Sequence, residues 1–356
     1  MERRRGSTCQ RRHGNRAWTK LLHVILFLFL GLAGHLDSRS WAQAECGVSI
    51  ATPIRVENAT GVDMLRAAAT CADGGLLEAD WAGTVPLDFP IVVESGVSLS
   101  ITGEDTQAEV LGVSHTRLFE VSPGGELVLT QLRLSGGTAD DGGAIYSNLS
   151  ALVLDSCTFH GNVATKGNGG GVWAEGGTVS ILGGEFSGNK ATGYGGAVAA
   201  VGAGQSLVAE GRSMFKGNTA SVGGALYCSG VAGSSPATSC SLRDIEFTSN
   251  IATYETEGAG GFDFSEGVDG GGAVVFEFAN AKVTDSVFVG NHAKHSGGAL
   301  LGENGTNITV NGCKFENNTA EMFGGAIAAA SMTLGGSTQL INNTATLDGG
   351  AVSTTR

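Results

Sequence analysis

The sequence predicts an all-β chain: a parallel β-helix (solenoid) with a short N-terminal helical cap. Three observations carry that expectation. A two-part motif recurs at a nearly constant interval, short β-prone runs separate its copies, and glycine is unusually abundant, at 58 of 356 residues. That share is about double the ordinary one, and it lacks the triplet period of collagen. Aromatics at 6% and only 5 prolines exclude a Pro-rich linker and a disordered polar tract.

The first 44 residues read as an export signal. Arg3, Arg4, Arg5, Arg11, Arg12, Arg16 and Lys20 precede an apolar stretch, Leu21 to Gly34, and Ala42-Gln43-Ala44 offers a small-x-small cleavage pattern. The apolar stretch is shorter than the roughly 20 residues that a membrane span needs. If it is not cleaved, 21–34 becomes a membrane anchor. Without residues 1–44 the chain carries 13 basic against 32 acidic residues, a net charge of −19. Such a body repels nucleic acid and anionic membranes, so neither is an expected partner.

Residues 45–90 are expected to form the cap region. Thr60-x-x-Asp63 has the spacing of a capping box, and Met64, Leu65, Ala68 and Cys71 fall on one helical face. An open solenoid end needs such a cover. The parallel β-helix is expected over 91–356, its early coils marked by Ile91-Val-Val, Val97 to Ile101, Leu118 to Val121 and Leu127-Val-Leu.

From residue 140 onward the motif becomes regular. Phe-x-x-Asn-x-Ala starts at Phe159, Phe186, Phe215, Phe247, Phe288 and Phe315, and a seventh copy has Leu340 in place of Phe. Gly-Gly-Ala (Gly171 replaces Ala once) and then an aliphatic residue follow each copy, at a longer distance only after the Phe247 copy, and one further pair precedes the first copy. The first glycines of these pairs are Gly142, Gly169, Gly195, Gly223, Gly271, Gly297, Gly324 and Gly349. The spacing is nearly constant, at roughly 25–28 residues, with one long interval between Gly223 and Gly271. A fixed period in this range means one supersecondary unit stacked on copies of itself. Runs such as Thr178-Val-Ser-Ile-Leu and Asn307-Ile-Thr-Val lack helical periodicity, and three short strands per period suit one coil of a parallel β-helix.

Stacked coils place equivalent side chains one strand spacing apart, about 4.8 Å. The Phe residues should therefore stack inward, and Asn162, Asn189, Asn218, Asn250, Asn291, Asn318 and Asn343 should form a structural ladder at a turn whose unusual dihedrals Asn tolerates. The glycine pairs allow positive φ at the next corner. Two residues beyond each pair, Ile145, Val172, Val198, Leu226, Val274, Leu300, Ile327 and Val352 should face inward. The next position should face out, which makes Tyr146, Trp173 and Tyr227 candidate ligand-facing residues for sugar rings or a partner surface.

Phe-x-x-Asn paired with Gly-Gly-Ala-Ile/Leu/Val resembles the repeat of the polymorphic outer-membrane proteins of chlamydial type. The resemblance covers roughly residues 140 to 352 and implies a right-handed parallel β-helix in an exported surface protein. The expected role is structural, adhesive or recognition, with glycans or cell-surface proteins as partners and with no cofactor and no catalytic or metal site. The chain stops at Arg356 without a closing helix and without the C-terminal barrel of such autotransporters, which reads as a partial product.

The long interval after Gly223 exceeds a normal coil, so loop insertions are expected at 228–240 and 253–270. In an oxidising compartment Cys46 with Cys71 and Cys228 with Cys240 are candidate disulfides, the second closing a surface loop. Cys157 and Cys313 occupy equivalent positions several coils apart and read as buried small hydrophobes. Asn58, Asn148, Asn304, Asn307, Asn317 and Asn342 head Asn-x-Ser/Thr sites and are possible N-glycosylation sites. The alternative function is a carbohydrate-active, pectin-lyase-like β-helix enzyme acting on acidic polysaccharide, for which Asp140-Asp141 is the best candidate pair. That pair instead precedes a regular corner. Glu255, Glu257, Asp263, Glu266 and Asp269 lack calcium-loop spacing, and His160, His292 and His295 lack a second ligand at metal spacing.

Overall fold

A computed structural model describes residues 53–71, 75–235, 237–254 and 270–354. The export signal, Cys46, the side chain of Cys71 and residues 255–269 of the second insertion lie outside the described residues. Among the described residues every strand pairing is parallel, and the strands wind into a solenoid of about 10 turns. Twenty-seven of these strands form one continuous wrap, and 8 two-residue strands form a separate narrow sheet beside it. Helix α1, Ala59–Cys71, lies near the start. Among the described residues no helix is long and apolar enough to cross a membrane.

One coil illustrates the geometry. Ile145–His160 is a single strand bent at two positions, Leu149 and Ser156, which adopt φ of 44° and 53° and drop out of the pairing register. The bends divide it into three faces, and Gly161 (φ 63°) then turns the chain into the fourth, two-residue strand Val163–Ala164. The next coil follows in register, with Ile145 beside Val172, Leu152 beside Val179 and Phe159 beside Phe186. Because side chains alternate across a strand, one set of residues lines the interior in every coil. Leu99, Leu127, Leu152, Val179 and Leu207 form one buried column, continued by Cys240, Ala281 and Ile308.

The repeat residues each satisfy a separate demand of stacking. Phe159, Phe186, Phe215, Phe247, Phe288 and Phe315 are fully buried, with successive ring centroids 4.7, 4.7, 5.0, 4.8 and 4.6 Å apart. From Asn189 onward each ladder Asn presents Oδ1 to the preceding coil's Asn, accepting both its backbone N–H and its side-chain amide, while the first, Asn162, accepts the Gly137 N–H. At Asn189 these bonds from Asn162 are both 3.0 Å. The Nδ2 of Asn189 donates in turn to Asn218 Oδ1 and to the Phe159 carbonyl, each at 3.0 Å. The pattern runs unbroken from Asn162 to Asn343.

The structure corrects two local expectations. The ladder Asn itself does not carry the unusual dihedral; the residue before it does, as Gly161, Gly188, Gly217, Ser249, Gly290, Asn317 and Asn342 all have φ between 50° and 63°. Within each glycine pair only the first member has positive φ. The second is required by space: a Cβ on Gly170 would lie 2.3 Å from the Gly196 carbonyl oxygen.

The cap region also differs from expectation. Strands already appear at Ile54–Val56, Gly75–Trp81 and Thr84–Leu87, and the latter two pair with strands after residue 91, so the first coil begins inside 45–90. The N-cap of α1 is Asn58 rather than Thr60: its Oδ1 accepts from the Thr60 and Gly61 N–H groups at 3.0 and 3.2 Å. The face turned to the core is Val62, Leu65, Ala68 and Ala69, whereas Met64 is exposed.

Candidate functional site

The outward column beside the glycine pairs divides into a sealed part and an open part. Ala199, Tyr227, Val275, Leu301 and Ala328 point away from the main core yet are buried in a second apolar cluster. Val222 belongs to this cluster, and Tyr194, Tyr254, Val201 and Trp173 pack against it. Tyr227 is only 4% exposed. Its ring stacks on Tyr194 with centroids 4.5 Å apart, and its hydroxyl donates to the Glu277 carboxylate. Burial first, and then Glu277, raises its pKa well above the usual phenol value. Tyr227 is thus not ligand-facing: corner side chains cover it.

Tyr146 and Trp173 remain half-buried at the open end of this column. They are direct register partners on adjacent strands. The Tyr146 hydroxyl donates to Glu175 Oε2 at 3.1 Å, and the Arg117 guanidinium lies 5.0 Å from the ring centroid, a cation–π distance. Burial and the Glu175 carboxylate raise the Tyr146 pKa. Arg117 is itself fixed, donating to the carbonyls of Asp141 and Gly142 at 2.8 and 3.2 Å and pairing with Glu120 at 3.2 Å. Arg117, Glu120, Glu175 and Tyr194 do not stand out in the sequence. The readable signal lies in the residue before each glycine pair, which changes from Asp141 and Asn168 to Tyr194 and Val222.

The other polar candidates are engaged locally. Asp140 pairs with Lys166 at 3.0 Å, which lowers its pKa, and both side chains are largely exposed. Asp141 Oδ1 accepts the Asn168 N–H at 2.7 Å across the corner. His160 Nδ1 meets Ser187 Oγ at 3.1 Å and His292 Nδ1 meets Thr319 Oγ1 at 2.8 Å, while His295 bonds its neighbour Ser296. Among the described residues no group of three or more His, Cys, Asp or Glu side chains converges as a metal site would require. An open groove lined by Glu210, Arg243, Asp244 and Asp285 has ion pairs from Arg243 to Glu210 and from Arg212 to Asp244.

A disulfide joins Cys228 and Cys240, whose Cα atoms are 6.6 Å apart. Both half-cystines are strand residues in the main core, so the bond lies inside the coil rather than across a surface loop. The excursion itself comprises the residues between those two strands. Cys157 and Cys313 are buried free thiols, and burial pushes the Cys157 pKa up to about 12. Of the Asn-x-Ser/Thr positions, Asn58, Asn307, Asn317 and Asn342 are exposed, while Asn148 and Asn304 are half-buried. The Asn304 amide donates to Glu277 Oε1 at 2.7 Å, and Thr306 of the same site is buried.

The Chlamydia polymorphic membrane protein repeat model matches residues 183–201, 213–229 and 312–330. Each matched segment spans consecutive parallel strands of the solenoid. None of the curated proteins and no solved structure matches the chain significantly. At these three places the chain carries repeats that match the polymorphic membrane protein repeat of the chlamydial type, and they lie within a parallel β-helix.

Proposed function

We propose that the chain is an exported, non-enzymatic scaffold of the cell surface or extracellular space, with a structural or adhesive recognition role. The observation that carries this reading is the repeat match at three places, because that repeat is the one of a surface-protein family. The interior supports it: Phe, Asn and Gly of the motif are used to stack coils, which leaves recognition to the outward positions. The basic and apolar start of the chain would direct export, and the four exposed Asn-x-Thr positions are the ones suited to glycan attachment.

The test is surface labelling. With an epitope tag at its C-terminus and expressed from its own first methionine in a eukaryotic cell, the chain should react with a membrane-impermeant biotin reagent on intact cells or appear in the medium. Complete retention inside intact cells would overturn the reading. Endoglycosidase treatment of the recovered chain should increase its electrophoretic mobility, an effect that replacing Asn58, Asn307, Asn317 and Asn342 by Gln should remove.

A further inference from the structure

We propose that Tyr146 and Trp173 form the floor of a binding site for a neutral oligosaccharide, with Glu120, Glu175 and Arg117 as its polar rim. The inference deepens the surface-recognition reading and rests on it. Its starting point is the division of the outward column. From Ala199 to Ala328 that column is sealed, with Tyr194, Val222 and Tyr254 packed over it. At the preceding two corners the residues equivalent to Tyr194 are Asp141 and Asn168, which bond to each other and to backbone instead. The only two aromatic rings of the column left partly open among the described residues are therefore neighbours, with Trp173 braced on one side by the sealed cluster.

This pair is pre-organised. Both residues sit on paired strands, the Tyr146 ring is held by Glu175 and Arg117, and Arg117 is held by two carbonyls and Glu120. Rigid aromatic rings carry little ordering cost on binding, which is the main obstacle for a shallow site. Register partners lie one strand spacing apart, about 4.8 Å. Successive rings of an extended glycan running along the solenoid axis can thus each meet one aromatic side chain. The C–H faces of a hexose suit an aromatic face, and its hydroxyls suit carboxylate acceptors and a guanidinium donor.

Charge selects the class of sugar. The rim holds two carboxylates against one guanidinium already paired with Glu120, in a chain of net charge −13. Uronates and sulfated sugars are repelled by this field. An extended peptide has no free backbone edge to pair with here, since the Tyr146 strand is bonded to Phe119–Val121 on one side and to the Trp173 strand on the other.

The experiment is calorimetric titration of the purified full chain with cellohexaose, laminarihexaose and mannohexaose, and with a polygalacturonate oligomer as the acidic probe. At least one neutral probe should bind. Trp173→Ala and Tyr146→Ala should each weaken it by about tenfold, equivalent to about 1.4 kcal/mol, with the far-UV spectrum of the folded chain unchanged at the titration temperature. Thr333→Ala, at an exposed position on a different face of the solenoid, should bind as the parent does. Should Trp173→Ala fail to fold, Glu175→Gln at an exposed position replaces it and should lower affinity severalfold. Absence of binding to every neutral probe, preference for the acidic one, or binding insensitive to these substitutions would overturn the proposal. Surface labelling reads separately: a surface-exposed chain that binds none of these sugars defeats only the oligosaccharide site, and a sugar-binding chain retained in the cytosol defeats the export reading.

Discussion

At the scale of the residue, the ladder asparagines show why this motif tolerates so little substitution. Between the two ends of the ladder each Oδ1 takes two hydrogen bonds and each Nδ2 gives two, and Asn162, Asn218, Asn250, Asn291 and Asn318 are completely buried. Asn218→Ala would remove the acceptor for the backbone and side-chain donors of Asn189 and the donor to the Phe186 carbonyl. Leaving such groups unpaired in the interior costs about 1–3 kcal/mol each. We expect urea unfolding of Asn218→Ala to report a loss of at least about 3 kcal/mol. Tyr227 makes the complementary point. Its aromatic character and outward parity were legible in the sequence, but its covering by Tyr194 was not, because the two are distant in the chain and meet only through coil stacking.

At the scale of the element, the glycine pairs and the turn glycines separate two kinds of constraint that a sequence writes with the same letter. Gly161 has φ 63°, and nothing lies within 4 Å of the place a Cβ would take. Gly161→Ala should therefore cost about 1–2 kcal/mol through backbone conformation alone. Gly170 has an ordinary φ, but its added Cβ would lie 2.5 Å from the Lys190 carbonyl oxygen and 2.3 Å from the Gly196 oxygen. Neither neighbour is a flexible side-chain end, so Gly170→Ala should cost more than about 3 kcal/mol, the upper end of ordinary overpacking. Chemical denaturation of the two variants side by side checks the order; equal losses would remove the distinction. The helix is a milder case. Its position was readable, but its cap and buried face were shifted, because the residues that satisfy its first N–H groups and meet the core depend on where strand Ile54–Val56 delivers the chain.

At the scale of the whole molecule, the solenoid should behave as a nearly one-dimensional stack in which each coil contacts its neighbours. Deleting 170–195 removes one complete repeat and joins Gly169 to Gly196, restoring a glycine pair and bringing Asn162 opposite Asn218. That variant should keep a cooperative transition and a β-type far-UV spectrum. Deleting only half of the same repeat breaks the register of every column and should abolish folding; circular dichroism with thermal unfolding separates the two outcomes. The buried Cys228–Cys240 bond fits this picture, since it ties the start and end of an excursion to adjacent faces of one coil and lets the intervening residues leave without opening the core.

The repeat by itself determined the architecture. A near-constant period, with Phe, Asn and paired Gly at constant offsets, can be satisfied in every copy at once only if equivalent residues stack, and that condition is local enough to read from the chain. The tertiary structure decided which outward positions remain open. Whether an outward ring meets solvent depends on the side chains that neighbouring corners fold over it, and those come from other coils: polar at Asp141 and Asn168, apolar at Tyr194 and Val222. Tyr146, Trp173 and Tyr227 share one sequence position in the repeat, yet only the first two keep part of their surface, because exposure is a property of the neighbours and not of the motif.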